Sequence, residues 1–282
     1  MVKRVRISAD STCDLSRAQV EQHHIQIHPL YVNLGDQSFR DGVNIHPEEI
    51  YHFFETTGKL PTTSAVTVGE YLDAFRALTR DDGELVHINL SSEFSCCYQN
   101  ACIAASELEG VYVVDSKNLS TGSGHLVLEA AEMAEAGLSG AEIKQRLDDL
   151  AGRVRASFVI DNLLYLHKGG RCSSVAALGA NLLKLKPCIE VQNGRMEVGK
   201  KYRGKYATAL LEYVKDKLSD ARVRDKRIFI PHTRTDPELV ELVRRAVADT
   251  GLFQEIIETE AGCTITAHCG PNTLGILFIE EE

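Results

Sequence analysis

Apolar runs alternate with polar turns along the first half of the chain, and three of these runs lead directly into turns rich in Ser, Thr and Asp. The runs are residues 5–7, 85–90 and 111–114, and the turns that follow them are residues 8–12, 91–95 and 115–116. In open α/β sheets the ligand crevice lies beyond the carboxyl ends of the strands, and helices that begin there direct unpaired N–H groups at an anion. Since little positive charge accompanies the turns, the pattern predicts a carboxylate site more than a polyphosphate site.

The remaining periodicity of the first half predicts strands that alternate with amphipathic helices. Tyr71, Leu72, Phe75 and Leu78 form one apolar stripe, and their helical spacing predicts a helix at 68–78. Gly and Pro punctuate residues 58–64, which we predict to be a loop. Further predicted elements are an extended run at 25–34 and helices at 47–56, 95–108, 123–136 and 140–154. This alternation predicts a mostly parallel sheet with helices on both faces.

The second half has a different pattern. Asn193-Gly194 stands between the apolar runs 188–191 and 196–198, and Asn-Gly in that setting is a strong signal for a β-hairpin. The periodicity also predicts strands at 158–160, 227–230, 255–257 and 274–279, and helices at 176–183, 206–218 and 237–250. A hairpin beside such strands indicates a mixed sheet. The expected architecture is therefore α/β with two domains, 1–155 and 156–282.

The composition is that of a globular protein and narrows the classes of partner. Of the 282 residues, 44% are hydrophobic and 25% are charged, and the net charge is −9 with a pI near 5.6. Such an acidic chain is a poor candidate for general binding to nucleic acid or to anionic membranes. It has no apolar run of the ~18 residues that a membrane span needs, and no signal-peptide core at its start. We therefore expect a cytoplasmic protein with no nucleic-acid partner and no membrane span.

The eight cysteines are expected to be reduced thiols. Cys96 and Cys97 are adjacent and so do not form a CxxC pair, and the others are scattered without the spacing of a zinc site. The aspartates in and near the polar turns also lack the spacing of a metal-binding loop. We expect no disulfide framework, no metal and no cofactor.

Two hydroxyl-rich segments precede helices and allow more than one interpretation. Thr62 and Thr63 lie in the segment 61–64, and Ser92 and Ser95 lie in the segment 91–95. Such hydroxyls cap helix starts by accepting hydrogen bonds from free N–H groups, and the same helix start can bind a carboxylate. The two roles are compatible. A serine nucleophile is a third interpretation, although the chain lacks the G-x-S-x-G elbow.

Three basic positions also allow alternatives. The segment 168–171 reads Lys-Gly-Gly-Arg, which is either a solvated turn or a loop where backbone approaches a ligand, and it lacks the P-loop pattern. Arg171 and Arg203 each carry the fork of donors that suits phosphate. His268 is either a structural histidine or a neutral donor to a carboxylate oxygen.

Taken in order, these segments resemble the bacterial DegV family, and with it the fatty-acid-binding subunit of bacterial fatty acid kinase. The matching stretches run over nearly the whole chain: residues 10–15, 40–42, 61–64, 91–95, 115–116, 169–171, 182–187 and 267–271. Each stretch is weak alone, but the ordered set is highly specific. After Ser95 the family usually has Gly-Thr, where this chain has Cys96-Cys97.

The resemblance implies two α/β domains that hold one long-chain fatty acid between them, with the acyl tail in an apolar tunnel. It implies that Thr63, Ser95 and His268 contact the carboxylate, with Thr62 and Ser92 as close neighbours in the same motifs. Each buried CH₂ contributes about 0.8 kcal/mol, so a sixteen-carbon tail supplies on the order of 10 kcal/mol before ordering costs. A few neutral hydroxyls and N–H groups then suffice for the head group.

The resemblance also implies that a separate kinase subunit supplies ATP and the catalytic groups. Arg171 and Arg203 would lie near the head group and the face that docks this kinase. The chain itself would have no catalytic residues and would present the acid for acyl-phosphate formation. The alternatives are a serine hydrolase or small-molecule phosphotransferase that uses Ser95 and His268, and a partner-binding module with a vestigial pocket.

Overall fold

The computed structural model describes residues 4–176 and 185–281. The predicted helix at 176–183 lies outside these ranges except for residue 176. Residues 182–184 of the motif at 182–187 also lie outside them. The strands are β1 (Val5–Asp10), β2 (Gln26–His28), β3 (Tyr31–Leu34), β4 (Gln37–Arg40), β5 (Thr62–Ser64), β6 (Glu84–Asn89), β7 (Val111–Asp115), β8 (Val154–Ile160), β9 (Leu185–Gln192), β10 (Arg195–Arg203), β11 (Val223–Thr233), β12 (Glu255–Glu260) and β13 (Thr273–Glu280). The helices are α1 (Arg17–Gln22), α2 (Pro47–Thr57), α3 (Val68–Thr79), α4 (Cys97–Ala105), α5 (Thr121–Glu135), α6 (Gly140–Ala151), α7 (Leu164–Gly169), α8 (Ser173–Ala176), α9 (Tyr206–Leu218), α10 (Pro237–Ala248) and α11 (Cys263–Cys269), and a 3₁₀ turn covers Ser11–Cys13.

The first half contains a four-stranded parallel sheet in the order β2-β1-β6-β7. Helices α3, α4, α5 and α6 pack against its strands, which confirms the predicted α/β class. The predicted helix at 140–154 ends earlier, at Ala151, because Val154 already begins β8. Since β1, β6 and β7 are parallel neighbours, their carboxyl ends meet at one edge of the sheet. The three hydroxyl-rich turns therefore share that edge.

The second half contains a six-stranded mixed sheet in the order β10-β9-β8-β13-β11-β12. The β11–β12 pair is parallel and the other pairs are antiparallel. The predicted hairpin is confirmed: Asn193 and Gly194 connect β9 to β10 with φ values of 50° and 82°. Asn and Gly tolerate positive φ better than other residues do, which is why this dipeptide makes the turn.

A third, three-stranded antiparallel sheet has the order β4-β3-β5 and was not expected from the sequence. The prediction of a loop over the whole of 58–64 is wrong, because Thr62–Ser64 pairs with β3 and places Thr63 opposite Val32. A three-residue strand after Gly58 and Pro61 has no local signal of its own. Pairing with a distant strand forms it.

A further element that the sequence pattern did not predict is α11. Its sequence is Cys-Thr-Ile-Thr-Ala-His-Cys, in which β-branched residues and cysteines have low helix propensity. A helix of seven residues is also too short to be stable alone in water. Tertiary contacts must therefore hold α11 in place, and it carries His268 in its last turn.

One apolar core connects the parallel and mixed sheets. Ile88 and Val114 of the first sheet belong to the same buried cluster as Phe229 and Leu277 of the second. The imidazole Nε2 of His125, on α5, lies 2.9 Å from the carbonyl oxygen of Leu277. All four strands of the parallel sheet precede residue 155, and those of the mixed sheet begin at Val154 or later. The domain division at 155/156 stays a prediction.

Candidate functional site

A cavity of about 200 Å³ lies where β5, the start of α4 and α11 meet. Its wall is largely apolar and includes Leu30, Leu90, Phe94, Met196 and Ile265. The polar groups that line it are few, and several come from the predicted set: Thr63, Ser64, Ser95, Cys96, Arg171, Thr264 and His268. An apolar cavity with a small number of polar groups is the usual form of a small-molecule site.

Thr63 and His268 meet at this cavity. The Oγ1 atom of Thr63 lies 2.9 Å from Nε2 of His268, although 205 residues separate them in sequence. Burial, with a smaller contribution from the Arg171 guanidinium, lowers the pKa of His268 to about 4. The imidazole is therefore neutral at pH 7 and offers one N–H group. A Cβ atom on Gly169 would lie 2.5 Å from Nδ1 of His268, so glycine is needed there for the ring to fit.

Ser95 lines the same cavity and also serves the start of α4. Its Oγ accepts a hydrogen bond from the backbone N–H of Cys97 at 3.3 Å, which is the capping role considered above. The residue is half-buried, and its hydroxyl belongs to the cavity wall. The hydrogen bond to Cys97 supports the capping interpretation of Ser95, and its role in binding a carboxylate stays a prediction. The neighbouring Cys96 is exposed and also lines the cavity.

Thr62 and Ser92 lie in the same motifs but do not line this cavity. Thr62 is exposed, and its Oγ1 accepts from Nδ2 of Asn33 at 3.4 Å. Adjacent residues of a strand face opposite sides, so Thr62 and Thr63 diverge. The hydroxyl of Ser92 donates to Asp115 Oδ2 at 2.7 Å, and its backbone N–H donates to the other carboxylate oxygen. Asp115 thereby fixes the turn that carries Ser95.

The two predicted arginines lie in different places. Arg171 lines the cavity while remaining exposed, and it donates to the carbonyl oxygen of Gly169 at 2.8 Å. Its Nε also donates to the carbonyl oxygen of Phe94 at 3.4 Å. Arg203 is exposed at the end of β10, opposite Leu185, and does not line this cavity. The structure therefore brings Arg171, but not Arg203, to the cavity wall.

A second, narrower cavity of about 30 Å³ extends the apolar wall toward the mixed sheet. It shares Leu119, Ile265 and Cys269 with the first cavity, and its further wall includes Phe158 and Leu277. We call it the tail chamber and the first one the head cavity. No sequence signal distinguishes these wall residues from ordinary core residues, which is why sequence reasoning named none of them.

A larger cavity of about 430 Å³ is a poorer match for an apolar ligand. Its wall carries ion pairs, with Lys217 Nζ 2.7 Å from Glu190 and Arg155 2.7 Å from Glu280. An acyl chain there would lie against charged side chains without replacing their hydration. Polar walls of this kind oppose the burial of a hydrocarbon.

A serine–histidine–aspartate arrangement occurs elsewhere but is sealed. Ser8 Oγ lies 2.9 Å from His87 Nδ1, and His87 Nε2 lies 3.7 Å from Asp10 Oδ1. All three residues are at most 1% exposed, so no substrate reaches them. Asp10 instead accepts hydrogen bonds from Tyr71 and from the backbone of Leu90, which ties the ends of β1 and β6 together.

The head cavity also lacks the geometry of a serine hydrolase or a metal enzyme. Among the hydrogen bonds of residues 4–176 and 185–281, Nε2 of His268 contacts Thr63 and not Ser95, so Ser95 has no bonded base. The same residues contain no cluster of His, Cys, Asp or Glu that could hold a metal ion. The eight cysteines are free thiols in this structure. None of the described helices is long and apolar enough to cross a membrane.

Comparison with known proteins supports the resemblance found in the sequence. The model of the DegV family, described as an uncharacterised protein family, matches residues 4–281. A DegV domain-containing protein of Clostridium acetobutylicum is 34% identical, and the match covers 99% of this chain and all of the relative. A relative from Caldanaerobacter subterraneus is 31% identical over the same share of each chain.

Solved structures agree in fold. A DegV family protein from Thermus thermophilus, described by its fatty-acid binding, superposes with a TM-score of 0.91 at 30% identity, covering 99% of this chain and all of that one. A Thermotoga maritima protein described as having a fatty-acid-binding function gives 0.82 at 30% identity with the same coverage. The fatty-acid-binding DegV of Bacillus subtilis gives 0.85 at 26% identity, again with that coverage. Fold, motif order and family model agree, and the chain belongs to the DegV family.

Proposed function

We propose that this protein binds one long-chain fatty acid and presents it to a separate kinase subunit for acyl-phosphate formation. The observation that carries the binding proposal is the contact between Thr63 and His268 in the wall of a largely apolar cavity. The solved relatives that are described as fatty-acid-binding support the ligand class. The residues proposed to contact the carboxylate are Thr63, Ser95 and His268, which line the cavity. Thr62 and Ser92, the other two predicted ligand-binding residues, do not line it and are proposed only to hold the segments that carry Thr63 and Ser95.

The head-group chemistry follows from the neutral imidazole. In the tautomer with hydrogen on Nε2, His268 donates to Thr63 Oγ1, and the Thr63 hydroxyl hydrogen is left to donate to a carboxylate oxygen. Ser95 supplies a second hydroxyl beside the first turn of α4, where the helix dipole favours an anion. Charge-assisted hydrogen bonds of this kind are stronger than neutral ones. Arg171 also lines the cavity, but its side chain is exposed, so water screens its charge and its contribution to affinity is small.

The acyl tail supplies most of the binding free energy. From the head cavity it would pass Leu119, Ile265 and Cys269 into the tail chamber, whose wall is mainly apolar. At about 30 Å³ this chamber holds roughly one methylene group, so the proposal requires it to widen when the tail enters. At about 0.8 kcal/mol per buried CH₂, the tail outweighs the few polar contacts at the head. The site therefore recognises a long apolar chain first and a carboxylate second.

Lipid extraction tests the binding proposal. Mass spectrometry of protein that has been purified and then denatured is expected to release long-chain fatty acid in about one-to-one ratio, because a tail buried at this scale is retained through purification. The delipidated protein is expected to bind added palmitate in isothermal titration calorimetry. Release of no acyl chain together with no uptake of palmitate would reject fatty-acid binding.

Substitution of His268 locates the head group. His268→Ala is expected to weaken palmitate binding by about tenfold or more, because a hydrogen bond that serves a charged group contributes about 1.5–3 kcal/mol. His52→Ala is the control, since His52 is exposed on α2 and is expected to leave the affinity unchanged. Equal affinities of the two variants would place the carboxylate elsewhere.

The kinase partnership rests on exposed positive charge beside the head cavity. In the phosphorylation step a carboxylate oxygen of the acid would attack the γ-phosphorus of ATP, the bond to the ADP oxygen would break, and the kinase would supply the catalytic groups. Arg171 and Arg203 are both exposed and are the proposed docking cations.

Arg171→Ala is expected to slow phosphorylation of bound palmitate by the partner kinase more than tenfold, as loss of an interface arginine often does, while palmitate affinity falls much less. Arg195→Ala removes another exposed arginine, one paired with Glu93 at 2.7 Å, and is the control. Equal losses of phosphorylation and affinity in Arg171→Ala would assign Arg171 to the ligand pocket instead of the docking face.

A further inference from the structure

The first turn of α11 is held by carboxylates from the other half of the chain. Its N-cap residue, Gly262, has no side chain to cap the helix. Instead, the N–H of Gly262 donates to Asp14 Oδ1 at 2.9 Å, that of Cys263 to Asp41 Oδ1 at 2.8 Å, and that of Thr264 to Asp41 Oδ2 at 3.1 Å. Three consecutive amides that a helix start leaves without backbone partners are thereby paired.

Both carboxylates are themselves fixed. Asp41 is 3% exposed and accepts a further hydrogen bond from Ser11 Oγ at 3.0 Å. Asp14 accepts from Ser120 Oγ at 2.5 Å. Ser120 lies at the start of α5 and lines the tail chamber. The start of α11 is therefore attached to the edge of the parallel sheet through buried side chains that have little freedom to move.

The same helix carries the ligand-facing groups at its other end. α11 has seven residues, so at 1.5 Å per residue it spans about 10 Å. Ile265 lines both cavities, and His268 contacts Thr63 in the last turn. Backbone hydrogen bonds connect the two turns of α11, from the N–H of Thr266 to the carbonyl oxygen of Gly262 at 2.9 Å and from the N–H of Gly270 to that of Thr266 at 2.8 Å. A shift at its first turn is therefore passed on to His268.

We infer that Asp14 and Asp41 are positioning residues for the head group: they hold the start of α11 and thereby set the imidazole of His268 against Thr63. This inference rests on the proposed fatty-acid site. It assigns a role to two aspartates that touch no ligand themselves. A purely structural role would predict lost stability without a specific dependence on His268.

A double-mutant cycle separates the two roles. Asp41→Asn keeps the shape of the side chain but turns an amide NH₂ toward one of the two N–H donors, so one capping hydrogen bond is lost. We expect palmitate affinity to fall about fivefold, the factor that corresponds to one ordinary hydrogen bond. In a protein that already carries His268→Ala, Asp41→Asn is expected to cost nothing further, because coupled residues are not additive.

Two further variants keep the result interpretable. Asp236→Asn is the matched control, since Asp236 caps α10 by accepting from the N–H of Glu238 at 2.9 Å, away from the cavities, and should leave affinity unchanged. Ser11→Ala removes one hydrogen bond to Asp41 while both carboxylates stay, and about a twofold loss is expected. Because Ser11 Oγ also accepts from the N–H of Leu30 at 3.1 Å, this loss counts as positioning only where it disappears in a protein that carries His268→Ala. If Asp41→Asn does not fold, the same cycle is run with Ser11→Ala.

The outcomes are distinct. If the wild-type protein takes up no palmitate, the proposed function fails before this inference is tested. If the wild type binds palmitate and Asp41→Asn binds it equally well, or loses the same factor with and without His268, the positioning role is overturned. A loss confined to proteins that retain His268 supports it.

Discussion

Ile265→Trp is expected to weaken palmitate binding by more than a thousandfold. Ile265 lines both the head cavity and the tail chamber, so an indole at this position obstructs the path between them. If the chamber widens in the wild type to take about six methylene groups of the tail and the indole keeps them out, the loss is roughly 5 kcal/mol at 0.8 kcal/mol for each CH₂. This exceeds the expected effect of removing any one hydrogen bond at the head group.

Fatty acids of increasing acyl-chain length test this prediction most directly. In the wild type, affinity is expected to rise steadily from octanoate to palmitate, by about 1.6 kcal/mol for each two carbons. In Ile265→Trp the increase is expected to stop once the tail reaches the new side chain. The measurement is calorimetric titration with acids of eight to sixteen carbons.

Leu252→Trp is the matched control. Leu252 is half-buried in a groove next to α9 and α10, away from both cavities. The chain has no tryptophan of its own, so fluorescence reports the folding of both variants in urea. Palmitate affinity within tenfold of the wild type in a folded Ile265→Trp protein would show that the tail does not pass Ile265.

Asp14→Asn is expected to stabilise the protein increasingly as pH rises from 4 to 8. The pKa of Asp14 is raised from 3.8 to about 7. Burial is the main cause and the negative charge of Asp41 adds to it, while hydrogen bonds from Ser120 and Gly262 act in the opposite direction. A carboxyl with a raised pKa in the folded state favours folding below pH 3.8, and this contribution is lost as pH rises to about 7.

The size of this stability difference follows from the coupling between proton binding and folding. Each pH unit between the two pKa values costs the wild type about 1.4 kcal/mol of unfolding free energy, so the difference between the variant and the wild type approaches roughly 4 kcal/mol near neutral pH. Asparagine retains one acceptor for the N–H of Gly262 and can donate to the hydroxyl of Ser120. The measurement is urea unfolding at pH 4, 5, 6, 7 and 8.

Glu241→Gln is the control, because the pKa of Glu241 is lowered whereas that of Asp14 is raised. Two neighbouring arginines, Arg244 and Arg245, lower the pKa of Glu241 to about 2, so its carboxyl is ionised in both folded and unfolded states above pH 5. The stability difference between this variant and the wild type is therefore expected to be constant from pH 6 to 8. A difference for Asp14→Asn that is equally flat over pH 4–7 would contradict the raised pKa.

Local sequence pattern predicted most of the fold because most elements carry their own signals. Apolar runs marked the central strands, helical spacing marked α3 and α9, and Asn193-Gly194 marked the hairpin. Among the elements that it missed are β5 and α11, which exist because of partners more than 25 and more than 200 residues away, respectively. A segment of three or seven residues is too short for its hydrophobic periodicity to indicate a partner that lies so far away in the sequence.

The candidate site was less accessible to sequence reasoning alone. The residues left Thr63, Ser95 and His268 open to capping or structural roles, and the family resemblance singled them out. It could not show that Thr62 and Ser92 point elsewhere, because neighbours in sequence diverge in space along a strand or turn. Asp14 and Asp41 lie in two of the stretches that carry the family resemblance, but nothing in the sequence indicated their role, since the partners that define it are backbone amides of a distant helix.

Because Thr63 and His268 lie far apart in the sequence, the contact between them can form only late in the synthesis of the chain. The 205 residues between them take roughly 10 to 40 seconds to translate at 5–20 residues per second. Throughout that interval the nascent chain has β5 but lacks the helix that completes the head-group contact. An amino-terminal fragment that ends before α11 therefore has no means of closing the site, and the ability to bind arises late, when almost the whole chain has been made.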